Sequence, residues 1–207
     1  MTIEKIIHDT MMLIAMIDPV SKLLIFSSLT SELSPQQRRK TALKATIFSG
    51  IILIGALVIG QILLSALGIQ LISFQVAGGI ILFLFGLQMV FKNSTHNSFA
   101  RSESDHDMAI FPLAVPSIAG PGSIMAVILL TNSNLYSTPE QIVTTIILIF
   151  VLVLTFVFML AAEPILLVIG KNGAAILTRV LGMILVALSV ELVLEALRIP
   201  GWIKSGL

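Results

Sequence analysis

The chain of 207 residues contains no cysteine. That excludes disulfides, thiol catalysis and thiolate metal sites, and it carries no information about redox compartment. Charge is scarce as well. Asp, Glu, Lys and Arg make up 11% of the residues, against roughly 25% in ordinary soluble domains. The formal net charge is only +1, so there is no basic footprint for nucleic acid. The three histidines (His8, His96 and His106) are scattered near predicted loops and form no metal-spaced cluster. No G-x-x-x-x-G-K-[ST] phosphate loop is present, so coupling to ATP within this chain is not expected. No small-x-small cleavage site follows the first apolar segment, which Asp18-Pro19 interrupts; it reads as a retained span rather than a signal peptide.

Apolar sequence dominates what is there. Hydrophobic residues make up 57% of the chain and the mean hydropathy is +1.06. Several uncharged runs approach the length of a bilayer-spanning helix, which indicates an integral membrane protein. Six spans are predicted, at about 10–30, 43–67, 69–91, 109–131, 141–168 and 174–198. The expected fold is an all-α membrane protein forming one transmembrane domain over residues 1–207. The polar stretch "KNSTHNSFARSESDHD" (92–107) divides it almost in half, giving a first unit of about 1–92, a cytoplasmic linker at about 93–108 and a second unit of about 109–207. The Asn93-Ser94-Thr95 triplet matches a glycosylation sequon but falls in that linker.

Loop charge predicts the orientation. Arg38, Arg39, Lys40, Lys44, Lys92, Arg101, Lys171 and Arg179 fall on one side of the expected membrane, and Lys5, Arg198 and Lys204 on the other. The positive-inside rule puts the eight in the cytoplasm and both termini outside, with Trp202 at the outer interface.

The halves resemble each other. "DPVS" (18–21) is followed 102 residues later by "GPGS" (120–123), and "QILLSALG" (61–68) by "EPILLVIG" (163–170) at the same offset. "VAGGIIL" (76–82) matches "VLGMILV" (180–186) at an offset of 104. Matches in order at near-constant offset predict a duplicated three-span unit. An odd number of spans per unit makes the two repeats inverted in the membrane.

Helices 1 and 4 are predicted to break at mid-membrane. Asp is a preferred N-cap and Pro a preferred first helical residue, so Asp18-Pro19 reads as a helix restart, and Gly120-Pro121 reads the same way. In lipid the freed backbone groups must be satisfied by protein or water, so such breaks are expected to face a cavity or the protein interior. A helix N-terminus with free N–H groups suits a carboxylate or phosphate. Asp18, Pro19, Ser21 and Lys22, with Gly120, Pro121, Gly122 and Ser123, are therefore the candidate substrate-binding residues. Asp18 and Lys22 are also spaced as a one-turn ion pair. The matched polar pair Gln61 and Glu163 reads as structural, near opposite interfaces, and Glu191 with Glu195 as an interfacial face.

At "IDPVSKLLIF", "FPLAVPSIAGPGSI" and "GGIILFLFGLQMVF" the chain resembles the MarC family of small bacterial membrane proteins. The resemblance covers nearly the whole chain, and the fourth-span "P-x-x-A-G-P-G" is its most specific part. Relatives commonly have "DPIGNIPIF" where this chain has "DPVSKLLIF", which puts Ser21 and Lys22 in place of Gly-Asn. Some members are described as small neutral amino acid transporters, which implies a transporter class and a multi-pass place in the bacterial cytoplasmic membrane.

The function expected is a secondary transporter or exporter of a small solute, bound between the breaks at 18–21 and 120–123. A neutral amino acid would suit it, with H+ or Na+ as compatible coupling ions and no bound cofactor. The alternative is a non-transporting scaffold or partner protein with a dry, packed interior at the breaks. Enzymatic activity is not expected, because no intramembrane His or paired Asp supplies a nucleophile and base.

Overall fold

The fold was analysed in a computed structural model, which describes residues 3–91, 109–133 and 135–197. The linker predicted at 92–107 and the C-terminal Trp202 lie outside the described residues. Among the described residues every regular element is helical.

The first predicted span starts earlier than expected and is broken where expected: α1 covers Ile3–Ile17 and α2 covers Pro19–Leu29. Next, α3 runs Pro35–Ala66. It starts eight residues before the predicted boundary because Ser34 caps it. The Ser34 N–H donates to Gln37 Oε1 at 2.9 Å and Pro35 stands at the first helical position. The basic cluster Arg38-Arg39-Lys40 is thus helix rather than loop. Gly68, at φ 66°, ends this segment in the left-handed region that glycine enters without a Cβ penalty. The third span is α4, Leu71–Phe91.

The fourth predicted span becomes two pieces: a π-helical segment, Ala109–Ile118, and α5, Pro121–Leu130. Pro112 and Pro116 remove two backbone donors from the first piece. The Ala119 N–H reaches the Ala114 carbonyl, five residues back, at 2.9 Å. Then α6 covers Thr138–Leu160, and α7 covers Ala162–Ala196 with an interruption at Gly170 (φ 72°). The fifth predicted span, to about 168, therefore ends early at Leu160, and residues 162–169 form a separate arm before the last long helical run.

Among the described residues, five helical stretches are long and apolar enough to cross a membrane: Ile3–Leu29, Pro35–Ala66, Ile72–Phe91, Thr138–Leu160 and Asn172–Ala196. Pro121–Leu130 is apolar but too short to cross alone. The core lies around α1, α2 and α5, where Leu13, Ile17, Leu23, Phe26 and Val127 are almost fully buried. By contrast α3 and α7 expose Ile51, Val58, Ile59, Ile62, Ile176 and Ile184, which in lipid have apolar surroundings.

Packing joins the two halves closely. Both α1 and α2 pack against α6, and both the π-helical segment and α5 pack against α3. The most extensive contact is between α4 and α7. The broken helices also pack crosswise, α1 against α5 and α2 against the π-helical segment.

Candidate functional site

The first break is one residue wide. Asp18 adopts φ 49°, ψ 72°, the left-handed region, and is the one described non-glycine residue at positive φ. Its N–H still donates to the Ile14 carbonyl (2.8 Å), and its own carbonyl accepts from the Lys22 N–H (3.2 Å). Asp18 therefore closes α1 and opens α2 at once. Proline at 19 has no N–H to give. The Ser21 N–H, which a continuous helix would give to Ile17, goes instead to Asp18 Oδ1 at 3.2 Å. This is N-cap bonding.

A left-handed, non-glycine backbone costs on the order of 1–2 kcal/mol. It is held here inside a packed core, with Asp18 only 1% exposed. Its second oxygen, Oδ2, is buried and has no hydrogen-bond partner. Lys22, one turn further on, is also buried. The Ser21 hydroxyl donates to Thr178 Oγ1 on α7 at 3.2 Å.

The second break is organised by one hydroxyl. Ser123 Oγ accepts from the Gly120 N–H at 3.0 Å and donates to the Ile118 carbonyl at 2.7 Å. Gly120 itself is extended (φ −84°, ψ 171°) and caps α5 by its backbone. Gly122 packs on α4 and comes within van der Waals reach of α1: a Cβ there would stand 2.8 Å from Leu82 Cδ2 on α4 and 3.8 Å from Met16 Sδ on α1.

Several sequence expectations need correction. Free backbone donors were expected at both restarts, but the Ser21 N–H is taken by Asp18 and the Gly120 N–H by Ser123. Both segments were expected to be sheltered, yet Pro121 is exposed. The first break also presents an acceptor, Asp18 Oδ2. Among the described residues, two buried side-chain oxygens lack a hydrogen-bond partner, Asp18 Oδ2 and Ser117 Oγ. One stands at the first break and the other three residues before the second. Ser117 and Thr178 were not foreseen, and nothing in their local sequence separates them from other polar residues in apolar helices.

A further buried carboxylate also went unforeseen. Asp9, half the length of a span before Asp18, accepts from Lys5 Nζ (2.7 Å) and Thr144 Oγ1 (2.6 Å) on Oδ2. Lys5 Nζ lies 3.8 Å from the centroid of the Tyr136 ring. Burial pushes the Tyr136 phenol up, with Asp9 adding to the effect, so the ring stays neutral under the ammonium. The available signal was the one-turn spacing of Lys5 and Asp9 at the start of an apolar span. Among the described residues no group of His, Asp and Glu is placed to hold a metal ion.

The sequence-wide comparisons agree with this architecture. A family model described as "MarC family integral membrane protein" matches residues 3–200. This chain belongs to the MarC family. It is an integral, multi-pass membrane protein. Among its MarC relatives, a UPF0056 membrane protein of Aquifex aeolicus (strain VF5) is 35% identical, covering 90% of this chain and 89% of its own. One from Buchnera aphidicola subsp. Schizaphis graminum (strain Sg) is 33% identical, covering 86% and 85%. Another, from Archaeoglobus fulgidus, is 31% identical over 89% and 88%. No solved structure gives a significant match to this MarC protein.

Proposed function

We propose that this MarC protein is a secondary transporter or exporter of a small solute, with neutral amino acids the first class to test, and that it has no enzymatic activity. The observation that carries the reading is the pair of buried oxygens without a hydrogen-bond partner, Asp18 Oδ2 at the first helix break and Ser117 Oγ three residues before the second, in broken helices that pack crosswise. A buried polar group without a partner costs on the order of 1–3 kcal/mol. Held beside a strained backbone and an intramembrane charge, it marks a place where a polar ligand docks. Asp18 faces the solute's donor groups. Pro19, Ser21 and Lys22 with Gly120, Pro121, Gly122 and Ser123 frame the pocket.

The reading includes six spans, the π-helical segment and α5 together making the fourth, arranged as two inverted repeats. Three observations support the repeat. Gly68 and Gly170, 102 positions apart, both take positive φ. The capped starts of α3 and α6 match, with Ser34 bonded to Gln37 and Ser137 to Glu140. Contacts between halves also come in reciprocal pairs: α1 and α2 on α6 correspond to the π-helical segment and α5 on α3. A symmetric interface has this property, that if i touches j then the equivalent of j touches the equivalent of i. In transport, the repeats rock about the breaks and open the pocket to each side in turn. The positive-inside pattern puts the 92–107 linker in the cytoplasm and both termini outside.

A thermal-shift screen of purified protein against amino acids and other small solutes tests this, followed by uptake into proteoliposomes for each hit. Stabilisation and uptake by at least one solute is the expected outcome. The rival reading is a non-transporting scaffold, favoured by the tight packing of Gly122 on Leu82. A broad screen with no stabilisation and no flux would favour it.

A further inference from the structure

Gln61 and Glu163 occupy matching positions in the two halves, and each reaches across to the other half. At one end, Gln61 Oε1 accepts from the Ser133 N–H (3.0 Å) and from Ser133 Oγ (2.8 Å). Gln61 Nε2 donates to the Thr131 carbonyl. A side chain near the end of α3 thereby ties down the turn between α5 and α6. At the other end, Glu163 accepts from the Arg38 guanidinium at the start of α3. The same guanidinium lies 5.9 Å from the Phe26 ring centroid on α2. Arg38 and Gln61 are 23 residues apart on one straight run of helix, so the two ties stand about 35 Å from each other, one per end of the bundle.

We propose that these are a pair of latches built on matching positions, each holding one end of the bundle shut, and that their balance sets which side of the membrane the central breaks face. This rests on the alternating-access reading above. The latches differ in chemistry. The Gln61 latch is neutral, with up to three hydrogen bonds and a half-buried side chain. The Glu163 latch is an ion pair whose carboxylate is 67% exposed, so salt screens it. The ion-paired end is thus the one that opens more readily, and the neutral end is the one that resists.

Two buried threonines report on the ends. Thr30 closes α2 near Arg38 and Thr131 closes α5 at Gln61; they are 0% and 1% exposed. The chain has no cysteine of its own. Thr30→Cys and Thr131→Cys therefore give single reporters for a water-soluble maleimide, applied to the full chain purified in detergent. Gln61→Ala is expected to speed labelling at Thr131→Cys about three- to tenfold, the range for losing side-chain hydrogen bonds, and to leave Thr30→Cys unchanged. Glu163→Ala is expected to speed Thr30→Cys about two- to fivefold and leave Thr131→Cys unchanged. Molar salt should reproduce the second effect alone, and the exchanged pair Arg38→Glu with Glu163→Arg should restore protection. Labelling that rises at both reporters with either variant means general loosening and overturns the latches. Unchanged labelling in a protein that carries a solute also overturns them. End-selective changes in a protein that moves no solute would uphold the latches and sink the transport reading.

Discussion

A Cβ placed on Gly86 would stand 3.0 Å from the Gly182 carbonyl oxygen, and one placed on Gly182 would stand 3.0 Å from the Gly86 carbonyl oxygen. The contact is reciprocal, and it extends along the seam. Gly79 faces the Ser189 carbonyl and Val193 Cγ2, while Gly182 faces the Gly86 carbonyl and Val90 Cγ2. In each case the glycine meets a backbone oxygen and the side chain four residues beyond it. Pairing Gly79 with Gly182 makes these two contacts equivalent at an offset of 103, one less than the sequence match across this segment proposes. Small residues at such a seam let two antiparallel helices approach closely where lipid offers no hydrophobic drive to bring them together.

Gly86→Ala and Gly182→Ala should each destabilise the protein by about 1–3 kcal/mol, because backbone on the facing helix must move to admit the new methyl. Their effects should be non-additive, since each already separates the same two helices. Gly55→Ala is the control. Nothing lies within 4 Å of its Cβ position, and alanine there should stabilise α3 by about 0.5–1 kcal/mol. Thermal unfolding in detergent distinguishes these outcomes; equal losses at all three sites would rule out the close seam.

Asp18 combines two jobs that substitutions separate. Asn caps helices and tolerates the left-handed region, so Asp18→Asn should keep stability within about 0.5 kcal/mol of the parent. Asp18→Ala loses both the cap and the backbone tolerance and should cost about 2–3 kcal/mol. Solute uptake should nevertheless fall at least tenfold in Asp18→Asn, because Oδ2 becomes a donor or loses its charge. Glu191→Gln, on the exposed face of α7, should leave uptake within about twofold. Full uptake by a stable Asp18→Asn protein would remove the carboxylate from the proposed site.

The Asp9 cluster makes a different claim, about stability alone. Thr144→Val removes a 2.6 Å donor from a carboxylate that is 2% exposed, with little change in shape. The expected cost is about 1–3 kcal/mol, that of leaving a buried acceptor short of a partner. Thr145→Val, whose hydroxyl bonds only its own helix at Gln141, should cost less than about 0.5 kcal/mol. Indistinguishable unfolding curves for the two variants would show that Asp9 does not depend on α6.

The breaks were legible because Asp-Pro and Gly-Pro have a local mechanism: one residue caps and the next cannot donate. The duplicated polar and glycine positions were legible for a similar reason, since few residue types do what Gly68 and Gly170 do at positive φ. Span edges were less so. Ser34 and Ser137 extend α3 and α6 into polar sequence that hydropathy assigns to loops, because a capping bond is invisible to an average over apolar residues. The π-helical register of Ala109–Ile118 was not legible either, since prolines announce a defect without saying how the backbone absorbs it. The occupation of the Gly120 N–H by Ser123 depends on a side-chain rotamer that only packing decides.

The orientation expected from charge is testable apart from any transport assay. Eight Lys or Arg residues fall on the side assigned to the cytoplasm and three on the other. Arg38, Arg39 and Lys40 lie within α3 rather than in a loop, but in its first two turns, where the positive-inside bias acts. Moving such a cluster across the membrane is unfavourable, whereas Lys5 and the terminal residues are few enough to cross. Single cysteines made by Ser98→Cys in the linker and Ser205→Cys at the C-terminus sample both sides. On cells with an intact inner membrane, an impermeant maleimide should label Ser205→Cys and spare Ser98→Cys until the membrane is permeabilised. The reverse pattern would invert the topology, and labelling of both before permeabilisation would mean that linker and C-terminus share the outer side, leaving an even number of spans between them and contradicting the three-span unit.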